Sequence, residues 1–425
     1  MLEIPNSAPI PLEEAQRLVL SAVQPLTVTR IPISEAHGYC LAEKLTAVHD
    51  VPQYDRSSVD GYALQVKDVR MANRSNPVKL HCLEEIPAGV IPTKTILPGT
   101  ASRIMTGAPI PKGATAVVKV EESKIAEDGT GDIWIYQSVS SGEAITRKGE
   151  DMAKGTMLLP EGTLLGPVEV GLLALFGVSS VLVHVKPKVS ILSTGSELVA
   201  ADQPLSPGKH RDSNGVMLAG QIREAGGNPT YLRIVKDDPD LLAEQMLKAL
   251  QKADVLVTSG GVSMGDYDYL GLAFEKIGAK VIFWKTLVRP GMPVLFGMWH
   301  HKPIFALAGN PASSYVNARL YLLPAIRRIC GWRDPLSKHV MARCDERIEA
   351  KQMPHTRFLR GFVYTSQTGE LRVKIAAKQS SNVLSSFLES NCLVKIPGGQ
   401  GFEADEPVEV ELLGTLGERV GMGTV

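Results

Sequence analysis

The chain has 425 residues, 45 Lys and Arg against 45 Asp and Glu, and an excess of turn formers in its 39 glycines and 28 prolines. At roughly 100–200 residues per domain, that length implies a globular protein of two to four units, each able to bury its own core. Zero formal net charge and a pI near 7.1 leave no global field to recruit nucleic acid or an acidic membrane face, so an anionic ligand must be held by placed groups.

The first residues, MLEIPNSAPIPLEEAQ, lack the basic-then-apolar layout of a secretory signal. The most apolar stretch, 171–185, is too short and too broken by Gly and Ser for the roughly 20 residues a bilayer span needs. Five widely spaced cysteines (Cys40, Cys82, Cys330, Cys344, Cys392) form no C-x-x-C pair, which argues against a disulfide framework or a structural zinc site. The expectation is a cytoplasmic protein with buried, inert thiols.

In chain order, Ala15, Leu18, Val19 and Ala22 recur at helical spacing within 11–23, and a second short helix is predicted from Ser34. After Asp50 the texture changes to short β-like runs at 78–83, 116–120 and 133–136, separated by Gly and Pro, which read as a small β domain. From Pro187, strands and helices alternate. Strands are predicted at 189–192, 231–235, 255–258, 281–284 and 304–307, and helices at 214–225, 239–252, 267–277 and 311–328. That alternation is the pattern of a doubly wound α/β domain. Beyond Arg333 the runs at 358–363, 371–375 and 408–413 predict a final β domain, and His300-His301 reads as a hairpin tip.

The chemistry sits in the loops. Thr258-Ser259-Gly260-Gly261-Val262-Ser263-Met264-Gly265-Asp266-Tyr267-Asp268 follows an apolar strand and precedes a helix. Its glycines let backbone N–H groups approach an anion at the carboxyl end of the sheet, which reads as a phosphate cradle unlike either common nucleotide fingerprint. The competing reading is a tight turn whose aspartates cap the helix. Glu197, Asp238 and Asp268 lie in loops that reach the same sheet edge. Three carboxylates beside a phosphate call for a divalent cation, and Mg²⁺ held by carboxylates and phosphate oxygens is the usual answer. Taken singly, each is as well explained as a helix cap or a solvated charge. Lys285 and Arg289 offer positive charge after another strand, and Asn310-Pro311 opens the last helix as a second anion site. By composition alone, the segments 55–63 and 103–109 are turns, and Arg360 with Gln379-Ser380-Ser381-Asn382 is surface polarity.

Seven segments in this order and spacing, SSVDGYA, RIMTGAP, RKGEDM, STGSEL, TSGGVSMGDYD, RPGMP and AGNPASS, resemble the MoeA family of molybdopterin molybdenumtransferases, related to the E domain of gephyrin. The resemblance spans essentially the whole chain. It implies a multidomain α/β plus β fold: an elongated discontinuous N-terminal domain (1–52 and 147–180), an inserted small β domain (53–146), a MogA/MoaB-like doubly wound α/β domain (181–332) and a C-terminal β domain (333–425). It also implies a homodimer whose cleft lies between subunits, with adenylylated molybdopterin and molybdate as substrates, Mg²⁺ as cofactor, and AMP and molybdenum cofactor as products.

Residue by residue, the resemblance makes Asp60, Thr106, Glu197, Asp238 and Asp268 catalytic positions, the last three also binding Mg²⁺ and Asp238 being chosen over its neighbour Asp237. Ser259, Gly260, Gly261, Ser263, Gly265, Asn310 and Pro311 would bind substrate, and Lys285, Arg289, Arg360 and Ser381 molybdate. Met292 stands where the family often has a second Lys, and Arg289 where the first Lys is frequent. Two other functions compete: an adenylyltransferase of the MogA type, which the Asp60 and Thr106 segments and the extra β domains disfavour, and a partner-binding scaffold, which would have no chemical need for the carboxylates. Transient contact with other cofactor-biosynthesis or acceptor proteins would accompany the transferase role.

Overall fold

The computed structural model of the chain describes residues 8–262 and 269–414. Two compact units emerge. One takes the residues up to Glu43, 161–170 and those from Ser180 onward, and the other takes 44–160 and 171–179.

In the second unit, a six-stranded sheet runs in the order Ala116–Lys119, Gly61–Leu64, Thr100–Ile104, Val78–Ile86, Asp132–Ile135, Ser123–Ile125. The segment Gly61-Tyr62-Ala63-Leu64 is therefore a fully buried strand paired on both sides, and not a turn. Composition misjudged it because a four-residue strand flanked by polar residues has too few positions to display a period. Gly61 is required there, since a Cβ would stand 1.9 Å from the Val118 carbonyl oxygen. The chain enters and leaves this β region side by side: Leu45 pairs with Leu159, Thr46 with Met157, and Val51 bridges Met152.

The first unit holds the doubly wound domain. Its six strands lie in the order Asn228–Val235, Lys188–Thr194, Val255–Ser259, Lys302–Leu307, Leu295–Trp299, Lys280–Trp284. The first four are mutually parallel; Leu295–Trp299 is antiparallel to both its neighbours, so the edge strand Lys280–Trp284 again runs in the direction of the first four. Leu295–Trp299 is a strand the periodicity did not single out. It returns through the His300-His301 tip, with Trp299 opposite Lys302, so the hairpin reading of that tip holds. Val255, Leu256 and Val257 are inaccessible because helices cover both sheet faces.

Helices form at Asn214–Glu224, Pro239–Lys252 and Tyr269–Ile277. The predicted long helix after Pro311 is Pro311–Asn317 and Leu323–Ile329, joined by a π-helical stretch at Ala318–Leu322. The N-terminal helix Leu12–Ala22 buries Leu12, Ala15 and Val19 in the same core, and of its predicted apolar face Leu18 and Ala22 are partly buried against it. At the C-terminal end, His339–Cys344, Thr356–Thr365, Leu371–Ile375, Cys392–Ile396 and Pro407–Leu412 close into a barrel, because Thr356–Thr365 pairs with both Leu371–Ile375 and Cys392–Ile396. Cys40, Cys330, Cys344 and Cys392 are buried, and burial pushes their thiols up to about 12, 12, 11 and 12, which leaves no thiolate to react near neutrality. Among the described residues no helix is long and apolar enough to cross a membrane.

Candidate active site

Chain order carries the α/β domain from Lys188–Thr194 to Asn228–Val235 on one side, then across to Val255–Ser259 on the other. The loops after Thr194 and Ser259 diverge at that reversal, which opens a crevice at the carboxyl ends of the strands. A cleft of about 1210 Å³ occupies this position and extends to the C-terminal barrel.

Its floor is the glycine loop. Gly260 adopts φ +99°, and a Cβ there would lie 2.4 Å from the Thr194 carbonyl oxygen, so only glycine brings this loop so close to the neighbouring strand. Gly260 N donates to Leu307 O at 3.0 Å, and Thr194 Oγ1 donates to Ser259 O at 3.3 Å. Gly261 and Val262 continue the lining. Ser263, Gly265 and Asp268, predicted to complete the cradle and the metal site, lie outside the described residues.

Glu197 lines the cleft, but Asp238 does not. Its Oδ1 accepts from Leu241 N at 2.8 Å as the N-cap of Pro239–Lys252, so helix capping has claimed the side chain. The neighbouring Asp237 faces the cleft instead, its Oδ2 accepting from Ser196 N at 2.8 Å. Asp212, 8% exposed, adds a further carboxylate to this side and accepts from Gly215 N at 2.9 Å. Glu197 and Asp237, hard oxygen donors beside a glycine loop, suit Mg²⁺, which binds through one or two carboxylates and completes its shell with phosphate oxygens and water. Among the described residues there is no group of three His, Cys, Asp or Glu that would hold a metal unaided.

The opposite wall is cationic. The loop 285–293 lays Val288-Arg289 alongside Thr356-Arg357 as an added parallel strand, which sets Arg289 beside the barrel. Arg289, Lys351, Arg357 and Arg360 all line the cleft. Arg360 is fully buried. It donates from Nη2 to Lys378 O and Ser380 O, at 3.1 and 3.0 Å, and from Nε to Ser386 Oγ at 3.2 Å, with its guanidinium 5.7 Å from the Phe387 ring centre. Arg357 donates to Glu349 O and Gln400 O at 2.8 and 2.9 Å. Burial lowers both guanidinium pKa values, and among the described residues no carboxylate offsets either shift. Two desolvated cations facing carbonyls and a hydroxyl are suited to an incoming anion.

Lys285 is not part of this wall. Half-buried and left-handed at φ +74°, it closes the base of its loop through Lys285 N to Val294 O at 2.8 Å. The cation its loop delivers to the cleft is Arg289.

Asn310 and Pro311 line the cleft as predicted, but the helix end behind them is partly spent. Ala312 N donates to Ser381 O at 3.0 Å, and Asn310 Nδ2 donates to Ser381 Oγ at 3.2 Å. Ser381 thereby reaches the α/β domain, and Gln379 Oε1 accepts from Arg360 N at 3.0 Å.

Asp60 and Thr106 meet in the second unit. Asp60 Oδ1 accepts from both Thr106 N and Thr106 Oγ1 at 2.7 Å, and these bonds, with Arg103 nearby, hold the carboxyl below the usual aspartate range. Sequence reasoning missed Asp212, Asn214, Lys351 and Arg357. RDSNG has the look of ordinary helix-start chemistry, and nothing in the spacing of Arg357 says that the 285–293 loop pairs with its strand.

Three family models match the chain: the MoeA N-terminal region (domain I and II) over residues 10–177, a probable molybdopterin binding domain over 190–328 and the MoeA C-terminal region (domain IV) over 342–413. Among curated relatives, the molybdopterin molybdenumtransferase of Bacillus subtilis (strain 168) is 37% identical over 97% of this chain and 96% of its own length. That of Staphylococcus aureus (strain MSSA476) is 32% identical over 95% and 96%. A crystal structure of the molybdopterin biosynthesis moeA protein from Pyrococcus horikoshii OT3 superposes with a TM-score of 0.80 at 31% identity, covering 95% of this chain and 100% of that one. With all three regions matched in order and relatives aligned over nearly their full length, the chain belongs to the MoeA family.

Proposed function

We propose that this chain is a molybdopterin molybdenumtransferase, which takes adenylylated molybdopterin and molybdate and yields molybdenum cofactor and AMP. The observation that carries this reading is the bipolar cleft: carboxylates and a glycine loop on the α/β side, and on the barrel side buried guanidinium groups that have no carboxylate partner among the described residues. A substrate with a phosphoanhydride at one end and a reaction partner that is an oxyanion fit those two walls in that order.

Ser259, Gly260 and Gly261 form the turn that receives the phosphates, with Gly260 N–H spent on Leu307 O and so contributing shape and not a donor, and Asn310 and Pro311 bound the same space. Glu197 and Asp237, with Asp268 as the third carboxylate, would hold Mg²⁺, which when bound supplies Lewis-acid polarisation of the phosphoanhydride. Arg360, Ser381 and Arg289 orient molybdate by charge-assisted hydrogen bonds, and Met292 on the same wall contributes no charge. No protein nucleophile is required: the dithiolene sulfurs of the substrate bond to the metal as oxide ligands leave as water, and a water molecule adds across the phosphoanhydride as AMP departs. Asp60 and Thr106 belong to this machinery through a homodimer, in which one subunit presents them to the other. Cytoplasmic location goes with this role.

The test is AMP release from adenylylated molybdopterin by the purified protein with Mg²⁺ and either molybdate or tungstate. Release dependent on oxyanion and Mg²⁺, and lost in Asp268→Asn, is the expected result. No AMP with either oxyanion would reject the transferase in favour of a scaffold.

A further inference from the structure

Asn214 opens the helix Asn214–Glu224, is 8% exposed, and lines the cleft without having been assigned any role above. Its Nδ2 donates to Ser259 Oγ at 2.8 Å and to Gly309 O at 2.7 Å. The Gly309 carbonyl oxygen carries no proton, so the NH₂ end of the carboxamide must face it and the orientation of the amide is decided. Both N–H bonds are thus spent on two different loops. One loop continues into Gly260-Gly261, and the other into Asn310-Pro311.

The amide oxygen tells the other half. Among the described residues Asn214 Oδ1 is buried without a hydrogen-bond partner, a loss that an apolar side chain of similar size would avoid. The donors, and not the oxygen, tie this amide to the two loops. From Gly309 the connection runs on through Asn310 Nδ2 to Ser381 Oγ, and the adjoining Ser380 O accepts from Arg360 Nη2. Asn214 is the strut at the root of that series.

We propose that Asn214 is a positioning residue for the transfer reaction. It fixes the separation between the glycine loop that holds the phosphoanhydride and the Gly309–Pro311 loop to which the Ser381 and Arg360 oxyanion wall is anchored. The inference rests on the transferase reading and deepens it by naming what aligns the two reacting groups. Misplacement by about 1 Å at a remote support costs on the order of 10²-fold in rate, while ground-state binding tolerates it far better.

The experiment compares the full-length parent with Asn214→Leu, which roughly keeps the volume and loses the donors without burying a charge, and with Asn214→Ala. Both variants are expected to lower kcat for AMP release about 10–100-fold with KM for either substrate changed less than about threefold. A packing role would spare the similarly sized Asn214→Leu, so full kcat in that variant overturns the inference, as does a loss expressed in KM alone. Hydrogen exchange provides a readout that needs no turnover: peptides spanning 258–262 and 308–312 should exchange faster in both variants, and unchanged exchange there overturns the strut whatever the activity. Faster exchange with no AMP release by the parent would reject the transferase reading and leave the strut standing.

Discussion

Ser381 clasps the entrance of the helix that starts at Pro311: its hydroxyl accepts from Asn310 Nδ2 at 3.2 Å and its carbonyl from Ala312 N at 3.0 Å. Residues 71 positions apart are joined, and the loop that also holds Arg360 becomes one wall of the cleft. Helix-end donors that sequence reasoning reserved for an anion are partly consumed by this clasp, which moves anion binding toward the glycine loop and the guanidinium groups.

Arg360 is expected to act on oxyanion affinity more than on folding. Arg360→Met removes a desolvated cation together with its bonds to Lys378 O, Ser380 O and Ser386 Oγ, so these effects oppose each other in stability. Hydrogen bonds to charged groups contribute roughly 1.5–3 kcal/mol, which corresponds to a rise of about 10–100-fold in KM for molybdate. Arg360→Lys should not restore it, because a point ammonium cannot reproduce the forked donor set. Oxyanion titration of AMP release checks both variants, and an unchanged KM would remove Arg360 from the molybdate site.

Asp237 and Asp238 should separate cleanly. Asp238→Ala loses an N-cap and costs about 1 kcal/mol in thermal unfolding, with turnover preserved. Asp237→Asn should raise the Mg²⁺ concentration needed for half-maximal AMP release at least about tenfold while stability holds, as follows from losing one of very few hard ligands. The opposite pattern in a Mg²⁺ titration would return the metal role to Asp238.

Asp60 makes a signed pH prediction. Its folded pKa is depressed by the bonds from Thr106 N and Thr106 Oγ1, so its contribution to holding that turn is complete above the unfolded aspartate value and is lost as pH falls through the depressed folded value. The Thr106 amide resonance should therefore titrate with a midpoint below the ordinary aspartate range, and Asp60→Asn should abolish the transition. A midpoint at or above the ordinary value would contradict the geometry.

Arg319 and Glu411 form a buried pair, 2.6 Å from Nε to Oε1, with side chains 8% and 1% exposed. Removing one partner strands the other in a low dielectric and costs about 3–5 kcal/mol, whereas replacing both by apolar residues of similar volume is close to neutral. Thermal unfolding of Arg319→Met, Glu411→Leu and the double variant tests this. Additive losses in the double variant would mean that the two charges do not depend on each other.

Much of the fold is legible because it repeats a period. The α/β strands and the helix Pro239–Lys252 fall where alternation places them, since an apolar run between capped helices has few other ways to bury itself. The strand Gly61–Leu64 escaped because it is short, and Leu295–Trp299 because its role depends on the hairpin that returns it to the sheet.

The sequence by itself determined the identity of the loops: a glycine-rich turn after an apolar strand, carboxylates at the same sheet edge, and seven segments in family order. Those are local properties, set by backbone freedom and side-chain type. Tertiary structure alone decided which side chains reach the cleft. Asp237 lines it while its neighbour is consumed as a helix cap, Arg289 lines it where its loop pairs with the barrel strand, and Lys285, whose backbone N–H closes that loop's base, lies outside the lining. Neutrality overall and strong local polarity are reconciled in the same way. The balance of 45 against 45 is a sum over the chain, whereas the field a ligand meets depends on which of those charges the fold brings within a few ångströms and strips of water.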